Sequence, residues 1–139
     1  QADFLEYAQV FDNYYGTTQS SVEHSLNNGK DVILEIDWQG AAQIRRLRKD
    51  TISIFILPPT TEVLRQRLQG RGQDSEDIIA RRMRDAVNEI EHYGEYDYLI
   101  INDDFNIALT ELKSIILSGR LGIEQQLIQQ QALLAELLA

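Results

Sequence analysis

With 139 residues, 43% of them apolar, the chain is long enough for one modest core and too short for two ordinary domains. Its 22 acidic and 13 basic side chains give a net charge of −9, which argues against a general nucleic-acid or anionic-membrane surface. Any anionic ligand must therefore be held by a local basic patch. The lack of cysteine excludes a disulfide framework and a thiolate metal site, and no apolar run approaches the roughly 20 residues that span a bilayer. The composition predicts a soluble, cytoplasmic protein that binds neither nucleic acid nor membrane.

Helical and strand patterns alternate along the chain. Capping hydroxyls and glycines bound the helices, and the strands are short, continuously apolar runs, as expected where helices cover both faces of a sheet. This alternation predicts the α/β class with a mostly parallel sheet. In chain order the predicted elements are a helix from Thr17 or Thr18 to Asn28, a strand at 32–36, a helix at 39–47, a strand at 52–57, a helix from Thr60 to Gly70, a helix at 79–90, a strand at 98–101, a helix at 107–116 and a glutamine-rich helix from 122.

Two carboxylates, Glu35 and Asp37, lie at the end of the first predicted strand. In open α/β sheets this carboxyl edge is where ligands bind. Asp37 can equally be the cap of the helix that begins near Gln39, because the first amides of a helix need an acceptor. The residues by themselves favour the cap.

A cluster of arginines after the second strand supplies the local basic patch that an acidic protein needs. The planar guanidinium matches phosphate oxygens bidentately, and several of them can neutralise a phosphoryl group during transfer. Gly70 and Gly72 flank Arg71 and would let the patch close over a ligand. The alternative is a solvated helix face with ion pairs between successive turns. The cluster comprises Arg65, Arg67, Arg71, Arg81, Arg82 and Arg84.

Two further polar segments are candidates for nucleotide contacts. Asn13-Tyr14-Tyr15-Gly16-Thr17 offers hydroxyl groups beside a predicted helix N-terminus, where phosphate is favoured, or forms an ordinary turn. Asn102-Asp103-Asp104 follows the last strand, where Asn102 could bond a purine edge, although turn formation and helix capping explain the segment without a ligand. The isolated residues His24 and His92 are not expected to act as metal ligands or general bases.

The order and spacing of these segments closely resemble the guanylate kinase family of bacterial type, over almost the whole chain. The resemblance implies a P-loop NTPase-like parallel sheet with flanking helices and a helical lid, incomplete at the N-terminus. It implies four regions: a remnant of the GMP-binding region at 1–18, core at 19–60, the lid with its flanking helices at 61–92, and core with C-terminal helices at 93–139. The motifs that carry it are Phe4-Leu5-Glu6, Asn13-Tyr14-Tyr15-Gly16, Glu35-Ile36-Asp37-Trp38-Gln39-Gly40, Ile56-Leu57-Pro58-Pro59, Arg67-Leu68-Gln69-Gly70-Arg71-Gly72, Arg81-Arg82-Met83, Tyr96-Asp97-Tyr98 and Asn102-Asp103-Asp104.

The resemblance implies residues that bind GMP. The Glu6 carboxylate would accept hydrogen bonds from N1 and the amino group of guanine, and would thereby select the base. Tyr15 and Thr17 would donate hydrogen bonds to the GMP phosphate. Glu35 and Asp37 would lie near the guanine, the ribose or metal-bound water. Family members often carry Asp in place of Glu35 and Ser in place of Thr17.

The resemblance also implies an ATP site. Arg67, Arg71 and Arg82 resemble the lid arginines that clamp the ATP phosphates and stabilise the transferring group, and Asn102 would touch the adenine. ATP would be the co-substrate, with Mg²⁺ held mainly by the nucleotide phosphates and by a phosphate-binding loop. Direct phosphoryl transfer needs positioning and charge neutralisation rather than a nucleophilic side chain.

Three segments that are typical of guanylate kinases do not occur in these residues: a first strand, a Gly-rich loop ending in Gly-Lys-Ser or Gly-Lys-Thr, and an Arg-x-Pro-Arg segment. The chain, which begins at Gln1, is therefore expected to be a truncated piece of the enzyme that is inactive by itself. Without the central strand, unpaired strand edges would remain, so a homo-oligomer or a domain-swapped assembly is expected.

Two other functions are compatible with parts of the sequence. The first is a non-catalytic guanylate-kinase-like module that binds protein ligands. Arg67, Arg71 and Arg82 favour the enzyme over this module, because a scaffold has no need of an ATP clamp. The second is a small structural α/β domain in which every motif is a cap or a turn, which requires many coincidences.

Overall fold

A computed structural model describes residues 4–10, 13–70 and 74–139, with side chains described at 18–70 and 74–139. The chain forms two compact units: Gln1–Phe55 with Arg65–Leu99, and Ile56–Leu64 with Ile100–Ala139. The elements are β1 (Phe4–Val10), β2 (Asn13–Thr18), α1 (Gln19–Asn27), α2 (Trp38–Leu47), β3 (Ile54–Leu57), α3 (Thr61–Gln69), α4 (Glu76–Ile90), a 3-10 turn (Tyr93–Glu95), β4 (Tyr98–Ile101), α5 (Phe105–Arg120), α6 (Ile123–Gln129) and α7 (Gln131–Leu137).

An antiparallel hairpin of β1 and β2 opens the first unit. Its register pairs the backbone of Glu6 with that of Thr17, and the backbone of Ala8 with that of Tyr15. Helix α2 lies against β1. These strands were not predicted from the sequence, because the glycine and asparagine in β2 suggested a turn, although tyrosine and threonine favour strands.

A core cluster of the first unit lies between α1 and α2. Val22 and Ile44 are buried, with 5% and 4% exposure, and partly buried apolar side chains pack against them. These side chains are Leu26, Val32, Leu34 and Ile36.

The segment 31–37 forms no β-strand, so the prediction of a strand at 32–36 is wrong. Burial alternates there: Val32 and Leu34 pack against the core, whereas Ile33 is 72% exposed. Only one side of the segment is therefore covered, and among the described residues no neighbouring strand pairs with it.

Strands β3 and β4 pair with each other as a second two-stranded sheet. They run parallel, since the Tyr98 amide donates to Ser53 O at 3.0 Å and the Asn102 amide donates to Leu57 O at 2.8 Å. The connection between them contains α3 and α4, as a parallel pair requires. The predictions of strands at 52–57 and 98–101 and of the α/β class are confirmed, with β3 beginning two residues later than expected.

Side-chain caps fix where several helices begin, as the sequence predicted for α2 and α3. Gly29 and Gly70 follow α1 and α3 with φ of 73° and 57°, a backbone region that favours glycine. The glutamine-rich C-terminal segment forms two helices rather than one, with Gln130 between them. The cap bonds are Asp37 Oδ1 to Gly40 N (3.0 Å), Thr60 Oγ1 to Val63 N (3.1 Å), Ser75 Oγ to Ile78 N (3.4 Å) and Asp104 Oδ1 to Ile107 N (3.0 Å).

Within the described ranges, no helix combines the length and the apolar character that crossing a membrane requires.

Candidate functional site

A cavity of about 550 Å³ in the first unit lies between the end of α3 and the first three turns of α4. Three of its lining residues are arginines and one is an aspartate, so it is electropositive in a chain whose net charge is −9. Such a lining suits a ligand with several negative charges, because guanidinium groups match phosphate oxygens in geometry and charge. The lining residues are Arg67, Leu68, Gly70, Ile78, Arg81, Arg82 and Asp85.

Arg82 connects the two helices that line this cavity. Its Nη1 donates to the Leu68 carbonyl oxygen at 3.0 Å and to Asp74 Oδ2 at 2.6 Å. The side chains of Arg82 and Asp74 are 37% and 32% exposed. Arg82 thus joins the last turn of α3 to the residue before the cap of α4.

A second cluster of polar groups surrounds the N-terminus of α2. Glu89 Oε1, on α4, accepts a hydrogen bond from the Trp38 amide at 2.8 Å, while Asp37 accepts one from the Gly40 amide. Burial raises the pKa of Glu89 and the nearby charge of Asp37 raises it further, whereas the Trp38 hydrogen bond and His92 act in the opposite direction. The carboxylates of Glu89 and Asp37 therefore both accept hydrogen bonds from amides in the first turn of α2.

Aromatic rings complete this cluster. The Trp38 and His92 rings stack with centroids 3.6 Å apart and planes at 6°. His92 Nδ1 is hydrogen-bonded to the Glu95 carboxylate. Both His92 contacts lie within the first unit, so His92 ties the residues after α4 to the start of α2.

Tyr96 lies beside the same cluster. Its ring packs edge-on against Phe55, with centroids 4.8 Å apart, and the Arg45 guanidinium lies 5.6 Å from the ring centre. Burial, followed by the charge of Glu89, raises the pKa of Tyr96 to about 12, while Arg45 opposes this. Two nitrogens of Arg45, Nε and Nη2, are buried, and within the described part of the chain neither has a hydrogen-bond partner.

The structure brings some of the expected ATP-site residues together. Arg67 and Arg82 both line the cavity, and Asp85 accompanies them. Arg71 lies outside the described residues. Asn102 belongs to the second unit, where it follows β4.

The expected GMP-site residues are described to different extents. Asp37 caps α2, as its sequence position favoured, and Glu35 is exposed two residues earlier. The side chains of Glu6, Tyr15 and Thr17 lie outside the described residues, although the backbone register of the hairpin pairs Glu6 with Thr17.

Asp74 and Glu89 were not identified as site residues from the sequence. Glu89 is 51 positions from Trp38, so no local spacing connects the two. Asp74 is eight positions before Arg82 and precedes the helix on which Arg82 lies. The available signal was an acidic residue next to a cap serine, which suggests a helix start rather than an arginine partner.

Comparison with known proteins places the chain in a family. Residues 1–119 match the family model described as guanylate kinase. The guanylate kinase of Methylococcus capsulatus is 56% identical over 135 residues, and that of Photorhabdus laumondii is 59% identical over 137 residues. These alignments cover 97% and 99% of this chain and 66% of the length of each relative.

A solved structure agrees with these matches. The crystal structure of guanylate kinase from Anaplasma phagocytophilum has a TM-score of 0.73 and 31% sequence identity, over 87% of this chain and 58% of that protein. The matches of sequence and of structure lead to one conclusion: the chain belongs to the guanylate kinase family.

Proposed function

We propose that the protein to which this chain belongs transfers the γ-phosphoryl group of ATP to GMP. The observation that carries the proposal is the arginine-lined cavity of α3 and α4, in a chain that matches the guanylate kinase family over residues 1–119. An acidic protein that binds two nucleotides needs a concentrated positive site of this kind, because its overall charge repels them.

On the ATP side, the arginines of the cavity neutralise the phosphates. Arg67 and Arg82 clamp the ATP phosphates together with Arg71. The contact of Asn102 with adenine stays a prediction from the resemblance to the family. The reaction needs the two nucleotides in line and the developing charge compensated, which fixed guanidinium groups provide without covalent chemistry.

On the GMP side, Glu6 accepts hydrogen bonds from guanine, and Tyr15 and Thr17 donate to the phosphate. The Glu6–Thr17 backbone pairing in the hairpin supports a common location for these contacts. Asp37 and Glu35 lie near the nucleoside. The Trp38 amide donates a hydrogen bond to Glu89, which restrains the residue that follows Asp37.

Mg²⁺ would neutralise charge on the ATP phosphates when bound. Among the described residues, no group of three or more His, Cys, Asp or Glu side chains could hold a metal ion. We assign Mg²⁺ ligation mainly to the nucleotide phosphates and to the phosphate-binding loop that enzymes of this type carry.

We further propose that these 139 residues are inactive when isolated. They contain no Gly-rich loop ending in Gly-Lys-Ser or Gly-Lys-Thr, whose amides and lysine hold ATP phosphates in enzymes of this type.

The test is a measurement of ATP-dependent phosphorylation of GMP, AMP and UMP. The protein from the complete reading frame and the 139-residue chain are assayed in parallel. We expect GMP phosphorylation by the complete protein alone. Activity of the isolated chain would contradict its proposed inactivity, and no activity in either folded protein would favour a non-catalytic module that binds protein ligands.

The specificity variant in this assay is Glu6→Gln in the complete protein. Losing a charged acceptor should weaken GMP binding by about ten- to a hundredfold and spare ATP. Glu111→Gln, which removes the same charge from α5, is the matched control. Equal loss of affinity for both nucleotides would contradict the proposal that Glu6 binds guanine.

A further inference from the structure

One of the three nitrogens of the Arg82 guanidinium, Nη1, is already engaged by the protein itself. An Nη group of arginine carries two protons, and the two bonds of Arg82 Nη1 go to the Leu68 carbonyl and the Asp74 carboxylate. A phosphate oxygen that approached this nitrogen would meet a donor whose protons are both in use. It would have to displace one of the two acceptors.

Asp74 is the acceptor that a phosphate would displace. The Leu68 carbonyl is part of the α3 backbone, whereas Asp74 contributes a carboxylate with a charge like that of the phosphate. Phosphate and carboxylate therefore compete for the same proton, and both cannot lie close to it without repulsion.

We propose that Asp74 is a positioning residue that competes with the ATP phosphates for Arg82, so that Arg82 exchanges the Asp74 carboxylate for phosphate when nucleotide enters the cavity. This inference rests on the proposed function and adds a residue that limits ATP affinity. Without nucleotide, Asp74 holds Arg82 at the cavity wall and offsets its charge. With nucleotide, the same bond opposes binding.

The expected gain in ATP affinity follows from the solvent exposure of the Arg82–Asp74 ion pair. With side chains 37% and 32% exposed, the ion pair is partly solvated, and such pairs are weak. Removing the Asp74 charge should therefore tighten ATP binding about two- to fivefold.

The test is Asp74→Asn in the complete protein, with the affinity for a non-hydrolysable ATP analogue measured by calorimetry in the absence of GMP. The amide oxygen of asparagine can still accept from Nη1, so the α3–α4 connection should remain folded, which circular dichroism checks. Asp85→Asn is the matched control, because it removes the same charge from the lining of the same cavity.

A double-mutant cycle with Arg82→Ala separates the effect of the Arg82–Asp74 ion pair from the effect of removing one negative charge near the cavity. We expect Asp74→Asn to tighten binding in the wild-type background and to tighten it less once Arg82 is alanine, because only direct charge repulsion is then relieved. An equal gain in both backgrounds, an equal gain from Asp85→Asn, or no gain at all would overturn the proposal. Because affinity is measured without GMP, a protein that binds ATP but does not phosphorylate GMP would refute the proposed function and leave this cycle interpretable.

Discussion

At the residue scale, the location of Glu89 in the fold changes the pKa of its carboxyl group. Its carboxylate accepts from the Trp38 amide, yet burial and Asp37 raise its pKa above the ordinary 4.5. The folded state therefore holds the Glu89 proton to higher pH than the unfolded state does. The Glu89 contribution to the free energy of unfolding is present below pH 4.5 and declines as pH rises through the raised pKa.

Glu89→Gln tests this linkage, since glutamine keeps an acceptor for the Trp38 amide and cannot ionise. Relative to wild type, the variant should gain stability as pH rises above the ordinary pKa of glutamate, because wild-type Glu89 loses its contribution when it ionises in the folded state. Urea unfolding at a series of pH values measures the difference, with the exposed neighbour changed in Glu91→Gln as control. A difference independent of pH would show that the Glu89 proton is not linked to folding.

At the element scale, helix starts are the features that short-range chemistry determines best. Asp37, Thr60, Ser75 and Asp104 each accept a hydrogen bond from an amide in the first turn of a helix. A side-chain acceptor at this position satisfies an amide that otherwise has no partner in the helix, and a carboxylate also interacts favourably with the helix dipole.

Asp104→Ala tests the α5 cap. The variant should lose about 1 kcal/mol in the free energy of unfolding, because the Ile107 amide loses its acceptor. Asp103→Ala, one residue earlier and with the same change in charge, should cost less than about 0.5 kcal/mol. Denaturant unfolding compares them, and equal losses would show that charge rather than capping stabilises this end of α5.

At the scale of the whole molecule, many large apolar side chains are exposed. In the second unit, Leu121, Ile123 and Leu138 are 68%, 72% and 85% exposed. Large apolar groups that remain in contact with water favour association, because contact with another surface removes them from it. The homo-oligomer or domain-swapped assembly expected from the sequence remains a prediction.

We expect the isolated chain to self-associate, with its mean mass rising with concentration in sedimentation velocity. Replacing two exposed apolar residues of α6, as in Ile123→Gln with Ile128→Gln, should shift the chain toward the monomer. Glu124→Gln, on the same helix, is the control. A chain that is monomeric at every concentration would contradict the prediction.

Features that depend on neighbouring residues were predicted correctly from the sequence. Features that depend on a partner far away in the sequence were not. Asp37 and Gly70 were identified because caps and positive φ leave local signals. The segment 32–36 has the composition of a buried strand, but a strand exists only when another strand pairs with it. The hydrogen bond from the Trp38 amide to Glu89 joins α2 to α4 through two residues that are 51 positions apart. No periodic pattern in the sequence indicates this contact.

The stacked Trp38 and His92 rings give this molecule an intrinsic fluorescent probe. The chain has one tryptophan, and its indole lies face to face with the imidazole that follows α4. Intrinsic tryptophan emission of the chain therefore reports on a single place, the contact between the start of α2 and the end of α4. Any event that separates these helices, or that moves the backbone next to Asp37, becomes visible as a change in colour or intensity of emitted light without a label.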